Sequence, residues 1–304
     1  VILTHSGLPP ECPMVGGHLM IPAKGFNPGT LWMIASAASF SVMALAAKML
    51  PEIPAFEKVF FRSLISVVMT IYALRAAGIA LHANRKWMLL LRSIFGFGGL
   101  VCYFEAIDRL PLGTSVTIYN TTPVFAAIIG IAVLKEKHGI KRIFSILLAI
   151  VGIAFIKGFA VDAPTDGIIF GLLTAFFSSI AYSLVRILNK SESPLIIVLA
   201  FPLVSIPLSI ALGYADFRLP HGIEWWWLLT LGVGTQGGQV CLTHGLRHHT
   251  ATRATQIGFI GVVFAMFFGI FTEDGAPGYA EVIGSILIFL GIYLGAQSVS
   301  ASKG

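Results

Sequence analysis

The residues of this chain that could do chemistry are charged and polar side chains set inside long apolar runs. Lys58 and Arg62 lie in one such run and Glu105 in the next. A charge at the centre of a spanning helix costs roughly 2.5–3.5 kcal/mol on insertion scales, so each is a functional candidate by default. Lys58 and Arg62 are four residues apart and share one helix face. Glu105 falls at a similar depth, so Arg62 and Glu105 are expected to face the same polar interior and to pair. The plainer alternative is a tie between two helices. A carboxylate whose neighbours change is also a candidate carrier of a coupling proton. Cytoplasm-facing conformers are expected to close outside at Lys58 and Asp108.

A second group is Tyr119-Asn120-Thr121-Thr122-Pro123, polar residues in the middle of an apolar run. Pro123 removes a backbone donor and frees the carbonyl of Tyr119. Interruptions of this kind at mid-membrane mark substrate sites in carriers; the alternative is a packing kink with hydroxyls bonded back to their own helix. Its counterpart in the other half is Gln236, Gln239 and His244, followed by Thr255 and Gln256. The surrounding GVGTQGGQ lacks the GK[ST] of a phosphate loop, and glycine there suits close helix approach. His244 and His248 share four-residue spacing, but beyond Cys241 no acid or further cysteine is near in sequence to complete four ligands. They read as a solvated basic helix end. Glu136 and Glu273 read as helix-end ion pairs or caps. No Ser/His/Asp nucleophile elbow and no HExxH occurs.

Membrane helices are needed to position these residues. Of 304 residues, 56% are hydrophobic and 11% charged, with a mean hydropathy of +0.87, against roughly 25% charged in soluble domains. The net charge of +6 is spread between apolar runs rather than gathered on one stripe, which argues against nucleic acid. Cys12, Cys102 and Cys241 form no ligand spacing and read as apolar packing residues.

Ten apolar segments of about the 20 residues a span requires run at 29–49, 55–77, 87–108, 114–134, 140–158, 167–188, 194–214, 225–246, 253–272 and 279–299. Residues 1–27 are Pro- and Gly-rich, lack the pattern of a secretory signal and are expected to be a mobile tail, with Met14 and Met20 as alternative starts. Lys and Arg concentrate on one set of loops, including Arg85, Lys86, Lys135, Lys137, Lys141 and Arg142, which places both termini in the cytoplasm. Trp32, Trp87 and Trp225 to Trp227 then sit at interfaces as an aromatic belt.

The chain also repeats itself. Tyr103–Lys137 is echoed by Leu242–Gly275, Gly29–Leu50 aligns with Gly167–Leu188, and Gly139–Ala154 with Gly278–Tyr293. With five segments per copy, an odd number, the copies must enter the membrane from opposite sides.

These residues resemble the drug/metabolite transporter superfamily, in particular its EamA-type members. The likeness covers nearly all of residues 28–299. It is carried by Arg62, by Tyr103-Phe104-Glu105-Ala106-Ile107 leading to Leu110-Pro111-Leu112-Gly113, and by Pro123, Glu136, Gly152, Glu273, Gly284 and Gly291. The second copy departs at Thr250-Ala251-Thr252 and at Val262, where the first has Pro123. The resemblance implies a multi-pass carrier of small metabolites in the bacterial inner membrane and names no substrate.

The expectation is therefore an all-α integral membrane protein. Ten transmembrane helices form two inverted five-helix repeats, 28–158 and 167–299, with N-in/C-in orientation. It works by alternating access, with no cofactor, metal or catalytic group. Its partners are a small-molecule substrate and the lipid bilayer, not nucleic acid; a homodimer stays open, as does proton-coupled export. Residues expected to line the cavity are Arg62, Tyr103, Glu105, Tyr119, Asn120, Gln239, His244, Gln256 and Phe259. Two other classes stay open: a lipid-modifying membrane enzyme using the histidine cluster, and a non-transporting scaffold.

Overall fold

The computed structural model describes residues 28–132, 140–159, 164–248 and 257–301. The N-terminal stretch 1–27, Glu136, His249, Thr255 and Gln256 lie outside them. Helices are the regular structure of the described residues: α1 (Pro28–Lys48), α2 (Ala55–Ala76), α3 (Lys86–Arg109), α4 (Leu112–Tyr119), α5 (Thr122–Ala132), α6 (Ile140–Phe159), α7 (Thr165–Leu188), α8 (Pro194–Gly213), α9 (Glu224–His248), α10 (Ile260–Gly269) and α11 (Tyr279–Ala301), with a 3-10 turn at Tyr214–Asp216 and loops between them. Five of them, α1, α2, α3, α7 and α8, are long and apolar enough to cross a membrane.

The fourth apolar segment is not one helix. α4 stops at Tyr119 and α5 restarts at Thr122, with Pro123 in the first turn of α5, where its missing N–H leaves no ladder bond unmade. The freed Tyr119 carbonyl accepts the Thr122 hydroxyl at 2.5 Å, and Thr121 Oγ1 donates to the Ile118 carbonyl at 2.6 Å. The polar residues of this stretch close the break as well as causing it.

Packing follows a rule of exchange. α1 lies chiefly on α9 and α3 on α7, while α2 lies on α8 and α6 on α11. Swapping each helix of the first half for its counterpart in the second turns the α1–α9 contact into the α7–α3 contact and leaves α2–α8 and α6–α11 unchanged. Two of the lesser contacts obey the same swap: α1–α10 becomes α7 with α4 and α5, and α2–α9 becomes α8–α3.

Small residues permit these approaches, as they do between membrane helices generally. A Cβ on Gly234 would stand 3.2 Å from the backbone of Met43 and Ser39, and Ser36 donates to the Gly238 carbonyl at 2.9 Å. Where α6 crosses α11, a Cβ on Gly152 would lie 2.8 Å from the Gly284 carbonyl, and the reverse distance is the same. The main core gathers around Phe97, Phe104, Ile107, Leu112, Leu231 and Val262.

Candidate functional site

Two arginines sit inside this bundle with no acid paired to either among the described residues. Arg62 on α2 is 7% exposed, and its Nε donates to Thr235 Oγ1 on α9 at 2.8 Å. Arg92 approaches from α3. Both guanidinium carbons lie over the ring of Phe201 on α8, at 5.3 Å for Arg62 and 5.1 Å for Arg92. Arg62 Nη1, Arg92 Nε and Arg92 Nη1 are buried with no hydrogen-bond partner among the described residues.

The energetics leave this cluster incomplete. Sharing one ring puts the two cations within about 10 Å of each other, which at an effective dielectric constant of ~20 means repulsion of about 1.5 kcal/mol or more. A desolvated cation–π contact returns on the order of 2 kcal/mol, less than the several kcal/mol that burying each ion costs. Beside them, Gln236 on α9 donates to Thr70 Oγ1 at 3.2 Å while its Oε1 is buried and unpartnered.

A tyrosine group adjoins the arginines. Tyr103 on α3 and Tyr119 at the end of α4 pack with ring centroids 5.2 Å apart, and Tyr119 Oη meets Tyr182 Oη of α7 at 2.5 Å. Arg62 is within electrostatic reach of Arg92, Tyr119 and Tyr182. The cluster draws on both halves of the chain, α2, α3 and α4 from one and α7, α8 and α9 from the other.

One end of the bundle is arranged oppositely, with Lys48, Lys58, Arg109 and Arg218 each matched to an acid. Lys58, fully buried, donates to both oxygens of Asp108 at 2.5 and 2.7 Å. Lys48 pairs with Asp274 at 2.9 Å and donates to the carbonyls of Ile107 and Leu110, while Asp274 also accepts from the Leu112 amide. Gly275, at φ 71°, turns the chain just after this aspartate, a backbone conformation that favours glycine. Arg109 bonds Glu105 and reaches Asp166 of α7 at 2.9 Å. Arg218 bonds Glu224, and its amide donates to Glu57 at 3.1 Å. A cavity of about 480 Å³ lies among these pairs, lined by residues 51–55 with Glu105, Asp108 and Arg109.

The sequence of the EamA-like transporter family matches this chain twice, over residues 27–158 and 165–296. The chain belongs to the EamA-like transporter family. It is 32% identical over 264 residues to the pseudopaline exporter of Pseudomonas aeruginosa (strain UCBPP-PA14), covering 86% of this chain and 93% of that protein. It is 25% identical over 278 residues to solute carrier family 35 member G1 of Mus musculus, covering 86% and 76%. A solved crystal structure shares the fold with a TM-score of 0.64 at 20% identity, over 88% of this chain and 96% of that one. Family, relatives and apolar helices together make this a multi-pass membrane transporter of small solutes.

Within this EamA-like chain the residues expected to form one cavity divide into several places. Arg62, Tyr103 and Tyr119 come together. Glu105 does not join them, because Arg109, one turn along its own helix, takes its carboxylate instead. Asn120 turns its amide back to the Val116 carbonyl at 2.7 Å, the behaviour of a kink rather than of a ligand donor. His244 is exposed and stacks on Trp32 with centroids 5.0 Å apart, about 13 Å along α9 from Thr235. That stacking gives Trp32 a partner beyond its belt position. Phe259 is buried against Phe289 of α11 at 5.0 Å, a core contact rather than a cavity wall. Gln239 is half-buried on α9 with a partner of its own. Glu273 is exposed. The expected Lys58–Asp108 contact is formed.

Arg92, Phe201, Tyr182 and Thr235 were missing from the expected set. The signal for Arg92 was the one that nominated Arg62, a charge inside an apolar segment.

Proposed function

We propose that this chain is a secondary transporter that exports a small organic solute across the bacterial inner membrane by alternating access. The observation that carries the reading is the arginine–tyrosine cluster held between the two halves, polar, incompletely paired, and running from buried Arg62 and Tyr103 to exposed Tyr182. The double family match and the exchange rule of packing support two five-helix repeats. An odd number of spans per repeat inverts the second relative to the first, and the Lys/Arg distribution puts both termini in the cytoplasm. The ion-paired end then faces outward, and the described conformer is shut on that side. Kinship with an exporter supports the direction.

Opening outward requires Lys58–Asp108 and Lys48–Asp274 to separate. Protonation of Asp108 removes its charge attraction to Lys58, so Asp108 is the group proposed to carry a coupling proton. Untargeted metabolite profiling of cells with and without the overexpressed protein, inside and outside, tests the function. A compound that accumulates outside and is depleted inside is expected. An unchanged distribution of every compound rejects the reading.

A further inference from the structure

We propose that the solute is an organic dianion carrying two carboxylates, one for each of Arg62 and Arg92. The inference deepens the transport reading and rests on it.

Charge balance is the first argument. Arg62 and Arg92 bring two positive charges to one interior site, and no carboxylate among the described residues lies within ion-pair distance of either. At the charged end the same bundle supplies acids for Lys48, Lys58, Arg109 and Arg218. A chain that pairs its cations there, and leaves these two bare, reserves them for charge that arrives from outside the protein.

Geometry is the second. The free donors are Arg62 Nη1, Arg92 Nε and Arg92 Nη1. Arg92 therefore keeps donors free on two sides, Nε–H on the edge away from Cδ and Nη1 on the side of Cδ, so that anionic oxygens can be met from either. Arg62 has spent its Nε on Thr235 and offers a terminal nitrogen. Both guanidinium carbons lie close to one phenyl ring, at 5.3 and 5.1 Å from its centroid, so a single solute with two carboxylates can reach both cations.

The test is thermal unfolding of the purified full chain in detergent, with a series of α,ω-dicarboxylates from malonate to pimelate at millimolar concentration. The diamides of the same lengths and inorganic phosphate are the comparison arms. At least one dicarboxylate is expected to raise the melting temperature by about 3 °C or more, with its diamide inert and phosphate weaker. Arg62→Gln and Arg92→Gln are each expected to abolish that shift while melting no lower than the wild type without ligand, since each removes an uncompensated buried cation. Arg92→Lys should keep a reduced shift, because the charge stays while the spread of guanidinium donors is lost. The proposal is overturned if no dicarboxylate exceeds its diamide, if phosphate matches the best dicarboxylate, or if the shift survives both glutamine variants. It is also overturned if the ligand-free variants melt well below wild type, the mark of a structural role. A missing shift alongside solute export in cells rejects the dianion alone. A shift without movement of the same dicarboxylate from loaded proteoliposomes rejects transport alone.

Discussion

The charged end and the polar centre use the same residue types to opposite effect. At the end, Lys48, Lys58, Arg109 and Arg218 each meet a carboxylate. At the centre, Arg62 and Arg92 meet a hydroxyl and a phenyl ring. Both sets lose hydration, and a buried ion is stable only when its remaining donors are satisfied. The described cations of the end are all paired, and we propose this end as the closure. The centre becomes complete only when something joins it. In this small membrane bundle, the missing partner tells more about function than the bonds that are formed.

The sharpest way to break this contrast is at the end. Lys58→Ala leaves Asp108 partly buried and alone, and is expected to cost roughly 3 kcal/mol. The double variant Lys58→Ala/Asp108→Ala should recover most of that, as read from chemical unfolding in detergent. Equal loss in single and double variants would remove the pair from the closure. An uncharged reference comes from the α6–α11 crossing, where Gly284→Ala forces a Cβ towards the Gly152 carbonyl and should cost about 2 kcal/mol by overpacking. At the edge of the centre, Tyr119→Phe removes one hydroxyl of the Tyr119–Tyr182 pair and should cost about 1 kcal/mol. A larger fall would mean that the tyrosines hold the fold rather than border a site. Arg218→Ala should change stability by less than about 1 kcal/mol, because its partners sit near solvent.

The ten segments were legible from composition because membrane helices need long apolar runs, and each of the ten contains helix among the described residues. The break before Pro123 was legible from one imino acid and its hydroxyl neighbours. The pairing of interior charges was not. Glu105 looked like a partner for Arg62 at matching depth, yet Arg109 was already within one helical turn. A local contact needs no agreement between helix rotations, whereas a contact across helices does. Thr235 is 173 residues from Arg62, and periodicity along a single helix does not say which side chain of a distant one will meet it. His244 shows the same limit. Its helix was correct, but the rotation of α9 turned it to Trp32.

The central claim, that the unpaired arginines hold the transported solute, is tested most directly by profiling metabolites inside and outside cells that make the wild type or the double variant Arg62→Gln/Arg92→Gln at equal membrane levels. The account predicts that the exported compound is anionic and that its redistribution falls at least tenfold in the variant, equivalent to about 1.4 kcal/mol or more of lost interaction. Redistribution equal to wild type, or of a neutral or cationic compound, would contradict it.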